Sequence, residues 1–364
     1  MLPFLVALLM QASPGQAQAA PSFDVLARQA AEARDADRLE QALRLYKTAL
    51  KLKPDWEDGL WAAASIEYDQ DKFKECSADF ERLAALKPDH APARTMAGLC
   101  QYRLHNYPAA LRSLTEVKRL EYKEPPELAR SARLHLALVL IKLNSFEEAI
   151  ITLLDLTRIA GKTPDIVVAA GVAGLRKAWT PPEVPESRRD VVFKLGDAMA
   201  AVMEQDSKQA MEKFAAVLRD YPNEPNVHFR YGAFLLQQDP ERGIEEIEKS
   251  LALQPDHIPA LIGLATTYLK RDQPQNARAY AEKAVKLGPG DFATHVTLGR
   301  VLLDTDDAAG AARELEAAVK LAPANPEAHL NLASAYARLG RNDDAARERR
   351  EFRRLRQLPE PDQP

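Results

Sequence analysis

Residues 260–289 read ALIGLATTYLKRDQPQNARAYAEKAVKLGP. The first half carries apolar residues at helical spacing, among them Leu264 and Tyr268. The second half places Ala277, Ala281 and Ala284 on one helical face. Pro289 closes the stretch, as expected just past a helix end. The same ending is written elsewhere, as RLYKTALKLKPDW at 44–56 and ELEAAVKLAPAN at 314–325. Pro54 and Pro88 are 34 residues apart, and so are Pro255 and Pro289, and Pro289 and Pro323. A fixed period of this size predicts an array of small stacked units.

Small residues keep the same beat. One series runs Ala30, Ala64, Gly98, Ala137, Ala198, Gly232, Ala265, Gly299 and Ala333. A second follows 12 residues behind it at Ala42, Cys76, Ala110, Ala149, Ala210, Ala277, Ala311 and Ala345, with Gly243 arriving 11 residues on. Two helices approach closely only where side chains are small, so each unit reads as a helix pair with one crossing point on each member. Tyr46, Phe80, Leu114, Leu153, Phe214, Ile247 and Leu315 stand one turn further along the second helix and face the core.

These residues carry a family resemblance. The pattern resembles the tetratricopeptide repeat: a large residue, Leu-Gly, Tyr, Ala, an aromatic, Ala and Pro. Residues 260–289 match it most closely, and 59–88 and 329–352 also match. The resemblance implies an all-α fold, a right-handed superhelical solenoid of stacked helix-turn-helix repeats. Nine units are expected, beginning near 23, 57, 91, 130, 191, 225, 258, 292 and 326. Residues 23–163 form an N-terminal array of about four and 191–357 a C-terminal array of about five, ending in a capping helix. Unit six is one residue short at QQDPERG. Between the arrays, 164–190 reads as an irregular helix and a proline-rich connector, either a hinge or a degenerate pair. Residues 358–364 read as a disordered tail.

The first 20 residues, MLPFLVALLMQASPGQAQAA, contain no charge. Their apolar run is too short to span a bilayer, and Ala17 and Ala19 stand like a cleavage site. The pattern predicts a secretory signal peptide over 1–20 and a periplasmic or secreted mature chain; the alternative is an apolar N-terminal helix. No other segment is apolar enough to span a membrane. Two cysteines, Cys76 and Cys100, fall on facing helices of adjacent units. They read either as a disulfide clamp or as two buried small hydrophobes.

The chain has no Gly-rich phosphate loop, no H-E-x-x-H and no G-x-S-x-G. No enzyme activity, metal or cofactor is expected. His228, His295 and His329 recur at the fourth position of their units. Adjacent units would hold such residues about 10 Å apart, too far to share a metal with bonds of about 2 Å. They are expected to pack at the seam between repeats. The net charge of −4 argues against general nucleic-acid binding.

The resemblance further implies a concave groove lined by first helices, and a protein or peptide partner. Trp61, Tyr68, Leu99, Tyr102, Leu138, Phe229 and Arg300 take groove positions. The expected function is a non-catalytic scaffold that binds a peptide or helix in the bacterial cell envelope. The alternative is nucleic-acid or anionic-surface binding through the Arg-rich end, Arg347 to Arg356.

Overall fold

The computed structural model describes residues 21–120 and 126–357. The expected signal peptide and the C-terminal tail lie outside the described residues. The described residues fall into two compact units that divide between Val139 and Leu140.

The first unit carries α1 (Phe23–Asp35), α2 (Leu39–Leu52), α3 (Glu57–Asp69), α4 (Phe73–Leu86), α5 (Ala91–Arg103), α6 (Tyr107–Arg119) and most of α7 (Pro126–Lys142). The second carries α8 (Phe146–Ala160), α9 (Pro164–Gly174), α10 (Arg189–Met203), α11 (Ser207–Asp220), α12 (Pro225–Leu235) and α13 (Pro240–Leu253). It continues through α14 (Ile258–Lys270), α15 (Pro274–Leu287), α16 (Phe292–Asp304), α17 (Ala308–Leu321), α18 (Pro326–Arg338) and α19 (Asn342–Arg356). No strand occurs among the described residues. Each unit is an all-α stack of helical hairpins, the solenoid architecture of the repeat.

One local device ends the first helix of nearly every hairpin. A single residue turns left-handed: Asp37, Asp71, His105, Asn144, Gln205, Asp272 and Asp306, with φ between 55° and 62°, and Gly340 at 71°. The next amide then bonds back to a carbonyl five residues earlier, as Arg38 N–H does to Ala33 and Asp307 N–H to Leu302, both at 2.8 Å. This is the Schellman stop, which satisfies carbonyls the helix leaves open. The one-residue deletion in unit six removes the position, and α12 passes into α13 without a left-handed residue.

The small-residue series are the crossing points. Ala30, Ala64, Ala137, Ala198 and Ala265 are fully buried, as are Ala42, Cys76, Ala110, Ala149, Ala210, Ala277, Ala311 and Ala345. A Cβ on Gly98 would stand 2.7 Å from Leu114 Cγ, and one on Gly299 2.5 Å from Leu315 Cγ. Large residues of the second helix thus occupy the space that the small residue leaves.

Residues 164–190 do not separate two domains. They lie inside the second unit, where α9 packs on both α8 and α10. Arg176 turns left-handed at φ 55° and Lys177 N–H bonds Val172 O, so α9 stops as the first helix of a hairpin does. The segment is a degenerate pair whose proline-rich loop delays its partner. That partner is α10, which also pairs with α11 and so belongs to two hairpins. Gly171 and Gly196 make the close approach: a Cβ on either would lie 1.9 Å from a carbonyl oxygen of the other helix, Val192 O or Val167 O.

In the first unit, Cys76 of α4 and Cys100 of α5 form a disulfide with Cα atoms 6.2 Å apart. Both residues are fully buried. The bond clamps two neighbouring hairpins.

Candidate functional site

Three helices of the second unit each turn one stripe toward a shared cleft of about 510 Å³. From α8 come Ile150, Leu154 and Arg158, each one turn apart. From α10 come Met199 and Met203 with Val202, from α12 come Arg230, Ala233 and Phe234, and from the turn after it Gln237. Phe214 of α11 closes one wall, stacked at 6.0 Å on Phe234 and at 5.2 Å on Tyr231. Two unbranched methionines give an adaptable apolar wall.

The polar part of the cleft is one-sided. Its lining holds two arginines and no carboxylate. Arg230 is 9% exposed and sends both terminal nitrogens to Glu147, each at 2.8 Å. Arg176 reaches the same carboxylate, also at 2.8 Å. Two guanidiniums therefore share one half-exposed acid. Arg230 Nε is buried and has no hydrogen-bond partner. Burial pushes the Glu147 carboxyl up, but Arg230 and Arg176 outweigh it and hold it below the usual carboxylate range. The same cluster acts on His257: burial first, then the charges of Arg176 and Arg230, lower it to about 4. His257 is therefore neutral at ordinary pH. It donates from Nε2 to Asn226 Oδ1 at 3.0 Å, and its Nδ1 accepts the Ala260 amide at 3.2 Å as the cap of α14.

A smaller groove of about 360 Å³ lies in the first unit, among Arg34, Tyr46, Trp56, Asp58 and Trp61. Trp61 meets Phe80 edge-on at 5.3 Å and leans on His90 at 5.7 Å. Trp56 packs on Phe23 and Tyr46, at 5.1 and 5.6 Å.

The sequence-derived groove residues divide in two. Trp61, Tyr68 and Tyr102 are half-buried. Tyr68 meets Phe73 at 5.7 Å, and Tyr102 meets His135 at 5.0 Å. Arg300 is half-exposed and lies 3.4 Å from Glu327. Leu99, Leu138 and Phe229 are buried, with 4%, 6% and 7% of their surface exposed, and none of them lines the cleft or the smaller groove. Phe229 shows the cause: His257, at the start of the next first helix, covers its ring at 5.0 Å. A helical stripe is wider than the gap that neighbouring helices leave open. Trp56, Met199, Met203 and Phe234 escaped the sequence reading, and so did the pairing of Glu147 with Arg230. Trp56 stands before α3, outside the helical register, and Glu147 is 83 residues from Arg230.

The three periodic histidines make a repeated clasp. His228, His295 and His329 each place Nδ1 2.7 Å from a carboxylate of the second helix: Glu246, Glu314 and Glu348. Each places Nε2 2.9 or 3.0 Å from a proline carbonyl six residues back: Pro222, Pro289 and Pro323. The readable signal is a proline, a histidine six later, and a glutamate 18 or 19 after that. Among the described residues no group of three or more His, Cys, Asp or Glu is placed to hold a metal ion.

The Arg-rich end is interleaved with acids. Arg347 reaches Asp344 at 2.8 Å and Glu348 at 3.3 Å, and Arg354 pairs with Glu351. Among the described residues no helix is long and apolar enough to cross a membrane.

Comparison with known proteins agrees with the hairpin array. The tetratricopeptide repeat family model matches residues 101–163. That of the middle TPR-like domain of cilia- and flagella-associated protein 70 matches 198–356. The chain belongs to the tetratricopeptide repeat proteins. No curated protein matches it. Among solved structures it is similar to MamA, at 19% identity over 45% of this chain and 91% of that one, with a TM-score of 0.41. MamA from Desulfovibrio magneticus RS-1 is 20% identical over 45% of this chain and 94% of that one, with a TM-score of 0.42. Yeast Tom70 is 12% identical over 92% of this chain and 85% of that one, with a TM-score of 0.38.

Proposed function

We propose that this chain is a non-catalytic protein-interaction scaffold that holds a peptide or helix of a partner protein. The observation that carries this reading is the cleft over α8, α10 and α12. It is open and lined in part by the apolar Met199, Met203 and Phe234, which is the chemistry of a helix- or peptide-docking surface. Trp61, Tyr68 and Tyr102 give the first unit further aromatic anchors. Ala233 is half-buried on the cleft wall, so Ala233→Phe fills the space without touching the crossing points. A photo-crosslinking residue at exposed Gln237 should trap the partner in cells, and Ala233→Phe should abolish that product. An unchanged crosslinking pattern rejects the cleft as the docking site.

The same proposal places the mature chain in an exported compartment. The uncharged leader supports this, and so does the Cys76–Cys100 disulfide, since such bonds persist in oxidising spaces. Mass determination of the mature N-terminus tests it: cleavage near Ala19 is expected, and an intact Met1 overturns it.

A further inference from the structure

The cleft's charge says what kind of segment it takes. We infer that its partner is an acidic peptide segment, with one large apolar side chain seated between Met199, Met203 and Phe234 and its carboxylates facing Arg158 and Arg230. This rests on the docking reading above and deepens it.

The first ground is the unbalanced cluster. Arg176 and Arg230 share the single carboxylate of Glu147, and His257 beside them stays neutral. Asp291 and Asp256 also act on this cluster, on Arg176 and His257, but neither lines the cleft, so the charge the cleft itself presents is that of its arginines. The second ground is the rim. Arg158 lines the cleft with a half-exposed side chain, in a long, solvent-exposed ion pair of 3.9 Å with Asp155 of the same helix, which does not itself line the cleft. The third is the disposition of the neighbouring acids. Asp206 accepts the Gln209 amide at 2.9 Å as the cap of α11, and neither it nor Glu204 lines the cleft. The remaining polar lining consists of Gln205, Ser207, Gln237 and Gln238, neutral groups that bond a peptide main chain. A basic segment would meet two guanidiniums and no carboxylate in the cleft lining, while an acidic one meets complementary charge.

The test is selection of displayed random 12-residue peptides against the full chain, oxidised at its disulfide. Binders that fail on Ala233→Phe are then synthesised and measured by fluorescence anisotropy. The expected peptides carry a net negative charge around a Met, Leu or aromatic residue. They should bind Arg158→Glu about tenfold more weakly and lose affinity with added salt. Circular dichroism melts confirm that both variants fold. Cleft-dependent peptides that are neutral or basic, or that ignore Arg158→Glu, overturn the acidic partner and leave the docking reading standing. Recovery of no Ala233→Phe-sensitive peptide overturns both. Binding to phosphatidylcholine–phosphatidylglycerol vesicles that is lost in Ala233→Phe assigns the cleft to an anionic lipid and overturns the peptide.

Discussion

At the scale of single residues, the backbone turn after each first helix decides where the second begins. Aspartate, asparagine or glycine fills most of these left-handed positions, because their short or absent side chains tolerate positive φ. Gln205 does not belong to that set, yet holds φ 62°. Gln205→Gly should therefore stabilise the second unit by about 0.5–1 kcal/mol, read as a higher denaturation midpoint. An unchanged or lower midpoint would contradict the assignment of strain to that residue. These positions recur at 37, 71 and 105, and again at 272, 306 and 340, so the turn was legible as periodicity. That Arg176 joins them was not, because its loop interrupts the count.

Pairs of elements carry the next set of consequences. The α9–α10 crossing brings backbone onto backbone at Gly171 and Gly196. Gly196→Ala should cost about 3 kcal/mol or more, since a rigid carbonyl cannot move aside as a flexible side-chain end can. Gly290→Ala, where an added Cβ meets nothing within 4 Å, is the control and should stay near wild type. Near-neutral behaviour of Gly196→Ala would mean the two helices do not touch there.

The His228–Glu246 clasp gives α12 and α13 a pH dependence. The hydrogen bond to Glu246 raises His228 above its ordinary 6.5, against burial and the Lys249 charge. Burial pushes Glu246 up, but His228 and Lys249 hold it below its ordinary 4.5. A raised histidine stabilises fully below 6.5 and loses that contribution as pH rises through its folded value. A lowered carboxylate stabilises above 4.5 and fails as pH falls through its folded value. The clasp is thus strongest between the two. The stability lead of wild type over His228→Gln should be about 1 kcal/mol near pH 6 and should shrink by pH 8. A lead that is flat across that range removes the charged clasp. His257 runs the other way: its lowered value means stability present above 6.5 is lost as pH falls toward about 4. His257→Asn keeps an acceptor at the helix cap and should flatten that acid limb in urea melts collected from pH 6.5 down.

For the molecule as a whole, each hairpin leans mainly on its neighbours in sequence, so stability is local. The disulfide closes a loop of 24-residue separation inside the first unit. Reducing it should cost about 3 kcal/mol there. Hydrogen exchange should report the loss over 57–119 and leave 258–356 unchanged. Uniform loss across both regions would show that the chain unfolds as one cooperative body.

The sequence by itself determined the fold class, the period, the crossing points and the helix stops. Each of these depends on residues within one hairpin, at separations of one to three helical turns or one repeat. Tertiary structure decided the rest. It buried Leu99, Leu138 and Phe229 while leaving Trp61 and Tyr102 partly open. It gave α10 to two hairpins and joined Arg230 to Glu147 across 83 residues. The cleft and its charge arise where three helices converge, and no spacing within any one of them encodes that meeting.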